Sequence, residues 1–155
     1  MRSQFSTYYG QIGSLLFSLN RVDEALENYR KYVAIAQKVA ADDPASSTLQ
    51  LNLWSSYAAL GDMLMRANRN EQAGIAYREG LPILEKLAAA DPGDVTLQTD
   101  LAFSQWKLAQ IGGDATVRLR AALAILGRLD ADGRLAADKK NWIAAIEQAI
   151  EALPK

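Results

Sequence analysis

Arg21–Pro44, RVDEALENYRKYVAIAQKVAADDP, returns 48 residues later as Arg69–Pro92, RNEQAGIAYREGLPILEKLAAADP. Arg21, Ala25, Tyr29, Arg30, Ile35, Lys38, Ala40, Ala41, Asp43 and Pro44 fall on Arg69, Ala73, Tyr77, Arg78, Ile83, Lys86, Ala88, Ala89, Asp91 and Pro92, ten identities in 24 positions. The same shift carries Gly13 onto Gly61, Leu16 onto Leu64, Asn20 onto Asn68, and Thr48-Leu49-Gln50 onto Thr96-Leu97-Gln98. Self-similarity at a fixed period of this length marks stacked repeats, in which each unit buries its apolar face against its neighbour.

Within the units, apolar residues recur at helical spacing, as in Leu53, Tyr57, Leu60 and Leu64, and again in Ala73, Ile75 to Tyr77, Leu81, Leu84 and Leu87. Two helices per unit are expected. The first ends near Leu19 and Ala67, where Asn20-Arg21 and Asn68-Arg69-Asn70 offer a turn and Asp23 and Glu71 favour the next amino end. The second ends at Asp43-Pro44 and Asp91-Pro92-Gly93, because proline restricts its predecessor and removes a donor. A third unit opens with Val95 to Ile111, and its second helix aligns once the shift is cut to 42, which places Ala73, Arg78, Leu81, Ile83, Leu84 and Leu87 on Ala115, Arg120, Leu123, Ile125, Leu126 and Leu129. Gly112-Gly113-Asp114 marks the shortened turn, with Asp114 as the expected N-cap. After a loop at Asp130 to Gly133, Trp142, Ile146, Ala149, Ile150 and Leu153 share one face of a helix that reads as a cap over the last apolar surface. The expected architecture is all-α: one domain over 1–155, with repeats at about 1–44, 45–92 and 93–132 and a capping helix at about 138–153.

Composition narrows the function. The 155 residues, half of them apolar, suffice for one domain that buries roughly 70% of its unfolded surface. Cysteine is absent, which excludes disulfides and thiolate metal sites, and histidine is absent, which removes the commonest metal ligand and general base. No cofactor is implied. Seventeen basic against eighteen acidic residues give a net charge of −1, without the positive field that favours nucleic acid or anionic membranes, so neither is an expected partner. No apolar run approaches the ~20 residues of a membrane span. No continuous apolar segment follows Met1-Arg2-Ser3-Gln4-Phe5, as a secretory signal requires, and a cytoplasmic setting is expected.

The spacing Gly13, Ala25, Tyr29 and Gly61, Ala73, Tyr77, with Tyr9/Ile12 and Tyr57/Leu60 ahead of each glycine, resembles the tetratricopeptide repeat over about residues 6–129. A small residue in each helix lets two backbones approach while an aromatic ring fills the gap behind them. The resemblance implies a right-handed α-solenoid of antiparallel helix hairpins that binds proteins rather than catalysing a reaction. A unit longer than the usual ~34 residues is similar to the extended repeats of large bacterial proteins, which follow kinase, protease, nucleotide-switch or Toll-like signalling domains. The third unit departs from the pattern, with Ala109 where glycine is expected. Because the counterpart of Ser46 would lie before Met1, the chain is expected to begin inside a helix, as the carboxy-terminal region of a larger protein.

In proteins of this resemblance the first helices line a groove, and its positions transfer to Thr7, Gly10, Ser14 and Phe17, then Ser55, Ala58, Asp62 and Met65, then Phe103, Trp106 and Gln110. Phe103 and Trp106 lie three apart on one face, where they either anchor an apolar side chain of a ligand or lie beneath Trp142 of the capping helix. The lysine–asparagine pattern with which some relatives clamp terminal carboxylates is missing, since Gly10, Ala58 and Trp106 hold its lysine position and Ser14, Asp62 and Gln110 its asparagine position.

Signals of catalysis are weak. Ser104-Gln105-Trp106-Lys107 matches a Ser-x-x-Lys pattern without its companion motifs. Asp130-Ala131-Asp132-Gly133 lacks the spacing of a calcium loop, and Asn141 stands where glutamate is required. Asp42-Asp43 and Asp91 are explained by repeated helix ends, and Arg30, Arg78 and Arg120 form either an anion-binding ladder or surface pairs with nearby glutamates. Two functions from different classes are therefore carried forward: a module that binds a protein or peptide in its groove, regulating an upstream effector domain, and a self-associating structural segment that forms a homodimer.

Overall fold

The structure, a computed structural model, describes residues 2–112 and 114–153, with side chains from Tyr8 onward. Gly113 of the shortened turn and the side chain of Thr7 in the expected groove lie outside the described residues. The described chain is all-α, in the order α1 (Arg2–Ser18), α2 (Val22–Asp42), α3 (Ser47–Arg66), α4 (Asn70–Ala90), α5 (Val95–Ile111), α6 (Ala115–Ala131) and α7 (Lys140–Glu151), with one 3-10 turn at Ala137–Lys139 before α7. Consecutive helices pack against each other as a helical repeat. Two compact units result, Met1–Ile83 and Leu84–Lys155.

The helix ends follow from residues that recur with the repeat. Asn20 and Asn68 adopt left-handed backbone at φ 60° and 58°, a conformation that asparagine tolerates better than most residues. Each is the C′ residue of a Schellman motif, in which Asn20 and Arg21 donate to the carbonyls of Phe17 and Leu16, and Asn68 and Arg69 to those of Met65 and Leu64. Gly133, at φ 67°, closes α6 in the same way, so Asp130 to Gly133 is a helix stop whose helix runs on to Ala131. At the other ends, Ser46 accepts from the Leu49 amide at 3.4 Å, and its repeat counterpart Asp94 accepts from Thr96 and Leu97 at 2.8 and 3.0 Å. Asp114 stands at the N-cap of α6 as expected, but its side chain caps no amide.

One prediction arises here. Asn68→Gly should leave stability unchanged or raise it by up to about 1 kcal/mol, whereas Asn68→Val should lower it by about 1–2 kcal/mol, because a β-branched residue resists positive φ. Urea midpoints of the two variants check this.

The repeated Thr-Leu-Gln triplet also has a structural cause. Gln98 is buried and its side-chain amide donates to the Ala88 carbonyl near the end of α4, at 2.9 Å. One repeat earlier Gln50 reaches the carbonyls of Ala40 and Pro44 at 3.4 and 3.5 Å. Each glutamine thus satisfies a helix-end carbonyl that the helix itself leaves open. Inside α4, Pro82 deprives the Arg78 carbonyl of its amide partner, but it lies on the exposed side, where water can substitute.

In the first unit, Ala25, Leu26, Tyr29 and Val33 of α2 and Ala73, Ala76, Tyr77 and Leu81 of α4 are buried. The core of the second unit joins Ala102 of α5, Leu119, Ala122, Leu126 and Leu129 of α6, Leu135, and Ile146 of α7. Trp142, Ile143, Ala149, Ile150 and Leu153 pack around it, so α7 lies against this core.

Candidate functional site

Two tyrosines organise the first-helix face of the first unit. A Cβ on Gly13 would stand 2.7 Å from the Tyr29 ring and one on Gly61 2.8 Å from the Tyr77 ring, so glycine alone lets the rings lie against α1 and α3. The hydroxyls then emerge among the residues expected to line a groove. Tyr77 donates to Asp62 at 2.5 Å and also lies 3.6 Å from the Met65 sulfur, while Tyr29 has Ser14 as its partner. Since Ser14 and Asp62 are repeat counterparts, as are Tyr29 and Tyr77, the same contact is made twice with different chemistry.

Burial, reinforced by the bond to the Asp62 carboxylate and by its charge, pushes the Tyr77 hydroxyl far above the ordinary tyrosine range. Tyr29 is raised as well, chiefly by burial, with Ser14 opposing. A raised folded-state value means that this stabilisation is intact below pH ~10 and lost as the pH climbs above the unfolded tyrosine's value. Wild type should therefore lose stability between about pH 10 and 12, and Tyr77→Phe should lose less over the same interval, as read from urea unfolding.

Beside the tyrosines, the Arg66 guanidinium lies 4.2 Å over the Phe17 ring and joins α3 to α1. Phe17, Ser55, Asp62 and Met65 are half-buried and Ser14 is exposed. The structure thus gathers Ser14, Phe17, Asp62 and Met65 around one surface and adds Arg66, which repeat arithmetic did not single out. This unit also holds a pocket of about 430 Å³ lined by Gln37, Pro44, Leu53, Tyr57, Glu79 and Ile83, with Gln37 donating to the Tyr57 hydroxyl at 2.7 Å.

In the second unit, Phe103 and Trp106 meet edge to face at 6.4 Å, and Trp142 of α7 packs on both, with centroids 5.4 and 5.9 Å away. Both are half-buried in this cluster. Gln110 is exposed at the rim of a mostly apolar pocket of about 300 Å³ that Trp106, Ala109, Leu119, Ala145 and Leu153 also line. Burial raises the Asp100 carboxyl above the usual range, with the Lys139 charge opposing.

Ser104 is buried, and the Lys107 ammonium sits 4.9 Å over the Phe103 ring. Asp130 pairs with Lys140 at 2.6 Å, and Asp91 accepts from the Gly93 amide at 3.1 Å. Arg30 reaches Gln72 at 3.5 Å rather than a glutamate, while Arg78 and Arg120 are exposed. Among the described residues no group of three or more acidic side chains is placed to hold a metal ion, and no helix is long and apolar enough to cross a membrane.

The α1–α2 hairpin, with Gly13 facing Tyr29, coincides with the match to the tetratricopeptide repeat family, whose model covers residues 6–39. Residues 6–39 form a tetratricopeptide repeat. Repeats of this family are, in general, protein–protein interaction scaffolds rather than enzymes. No curated protein matches the chain. Gly61, Ala73 and Tyr77 of the α3–α4 hairpin repeat Gly13, Ala25 and Tyr29 one period of 48 residues on.

Proposed function

We propose that the chain recruits a partner protein by taking an extended or helical segment of it on the first-helix face of the first unit, between α1 and α3. The observation that carries this reading is the Arg66–Phe17 stack beside Met65 and Asp62. Stacking leaves the guanidinium edge available to an acidic group, while the Phe17 ring and Met65 thioether offer an adaptable apolar contact. The ligand chemistry that fits is an apolar side chain flanked by an acidic one. Ser14 and Ser55 supply hydroxyl contacts on the same helices, and Gln110 with Phe103 and Trp106 supplies a second contact region in the other unit. Regulation of an effector domain and a bacterial cytoplasmic setting belong to this proposal through the family resemblance.

The experiment is selection of a random peptide library against the purified chain. Enriched peptides should carry the apolar–acidic pair, and Phe17→Ala/Met65→Ala should weaken them about tenfold or more. Peptides that bind this variant as well as wild type would place the site elsewhere.

A further inference from the structure

On α1, Tyr8, Ile12, Leu15 and Leu19 are 57%, 46%, 61% and 58% exposed. Their spacing of 4, 3 and 4 residues lines them along one side of the helix, as in a coiled-coil seam. This side is distinct from the one that carries Ser14 and Phe17 and from the one where Gly13 meets Tyr29. Isolated exposed apolar residues such as Ile75 and Val117 are ordinary, but a continuous line of four is not.

The repeat itself supplies the comparison. One period on, the same positions are Ser56, Leu60, Met63 and Ala67 of α3, a helix packed against α2, and there Ser56 is 0% and Met63 2% exposed. At α3 this side of a first helix is thus a helix-packing surface. At α1 its residues are larger and more apolar than at α3 and no helix of the described chain covers them.

We infer that a second copy of the chain covers this side, with the two α1 helices packed antiparallel about a two-fold axis. In that arrangement Tyr8 meets Leu19 of the other copy and Ile12 meets Leu15, so the line is complementary to itself. Two-fold pairing sets like charges against each other near its axis, and α1 carries no charged residue after Arg2, the next in the chain being Arg21. With a net charge of −1, long-range repulsion between copies is also small. An uncharged seam suits self-pairing, whereas a groove for a charged partner would carry the opposite sign.

Light scattering over a hundredfold concentration range tests the pairing. Wild type should show twice the 16.9 kDa chain mass, and Leu15→Glu should weaken the dimer by about tenfold or more while keeping its helical content. Because the chain has no cysteine, Tyr8→Cys/Leu19→Cys provides an independent reading. The two positions lie about 16 Å apart along one helix, too far to bond within a copy. Oxidation should therefore yield a disulfide-linked dimer from the double variant and little from Tyr8→Cys alone. A 16.9 kDa mass up to about 1 mM, a dimer indifferent to Leu15→Glu, or equal cross-linking of single and double variants would each overturn the assignment. Peptides selected on the Phe17 face should bind Leu15→Glu as they bind wild type, which separates failure here from failure of the proposed function.

Discussion

Trp142→Ala is expected to destabilise the second unit by about 3 kcal/mol, toward the lower end for removing a large aromatic from a packed site. The ring is the only aromatic that α7 contributes, and it contacts both Phe103 and Trp106. Such pairs contribute about 0.5–1.5 kcal/mol each beyond the area they bury. Truncation removes both pairs and opens the core beside Ile146, which is fully buried. Lys139, 5.1 Å over the Trp142 ring, loses its cation–π partner as well. Amide exchange should quicken by about 100-fold across α5, α6 and α7, the factor equivalent to the lost stability. Trp142→Phe should recover more than half of the loss, since a smaller ring still reaches both neighbours. If α7 merely rested on the surface, exchange in α5 and α6 would stay at the wild-type rate. The same variant bears on Phe103 and Trp106 as ligand contacts, because a ligand that needs them exposed would bind Trp142→Ala more tightly.

The helix ends were legible because each is written in side chains whose local chemistry acts without help from the rest of the fold. Asn20, Asn68 and Gly133 stop helices through positive φ, Ser46 and Asp94 start them, and Asp43-Pro44 and Asp91-Pro92 bar continuation. Period and spacing likewise reached Tyr29 and Tyr77 as core residues and the Trp142–Ile146 side of α7 as a packing surface. The contacts between helices were not legible. Nothing in Thr-Leu-Gln shows that its glutamine spans ten residues to a carbonyl of the preceding helix, since that reach depends on where the two helices cross. The Arg66–Phe17 stack likewise joins residues 49 apart, and no local pattern encodes it. The side of α1 that carries Tyr8, Ile12, Leu15 and Leu19 could have been found by asking of each repeated position whether its covering helix is present. An apolar residue reads as buried on sequence alone, and only the arrangement of helices reveals that these four are not.

Gly61→Ala should cost up to about 2 kcal/mol, even though alanine is the better helix former by about 1 kcal/mol, because overpacking of about 1–3 kcal/mol opposes that gain. The new methyl would stand 2.8 Å from Cε1 and Cζ of Tyr77. The ring has little room to retreat, being buried and tied through its hydroxyl to Asp62. Relief should therefore come from the ring's side, and the third hairpin contains the solution. There the glycine position is Ala109 and the tyrosine position, after the shortened turn, is Leu119; both line the same pocket and contribute to the same core. Alanine with leucine fills the space that glycine with tyrosine fills elsewhere. Tyr77→Leu alone should cost about 2–3 kcal/mol, since it leaves a void over Gly61 and removes the Tyr77–Asp62 hydrogen bond. Combined, Gly61→Ala/Tyr77→Leu should be less destabilised than the sum of the single variants by at least about 1 kcal/mol, a coupling expected of residues in direct contact. Urea unfolding of the four proteins measures it. Strict additivity would mean that the ring and the helix backbone are not in the contact that sets the glycine, and would leave the Gly–Tyr and Ala–Leu pairings of the three hairpins without a common cause.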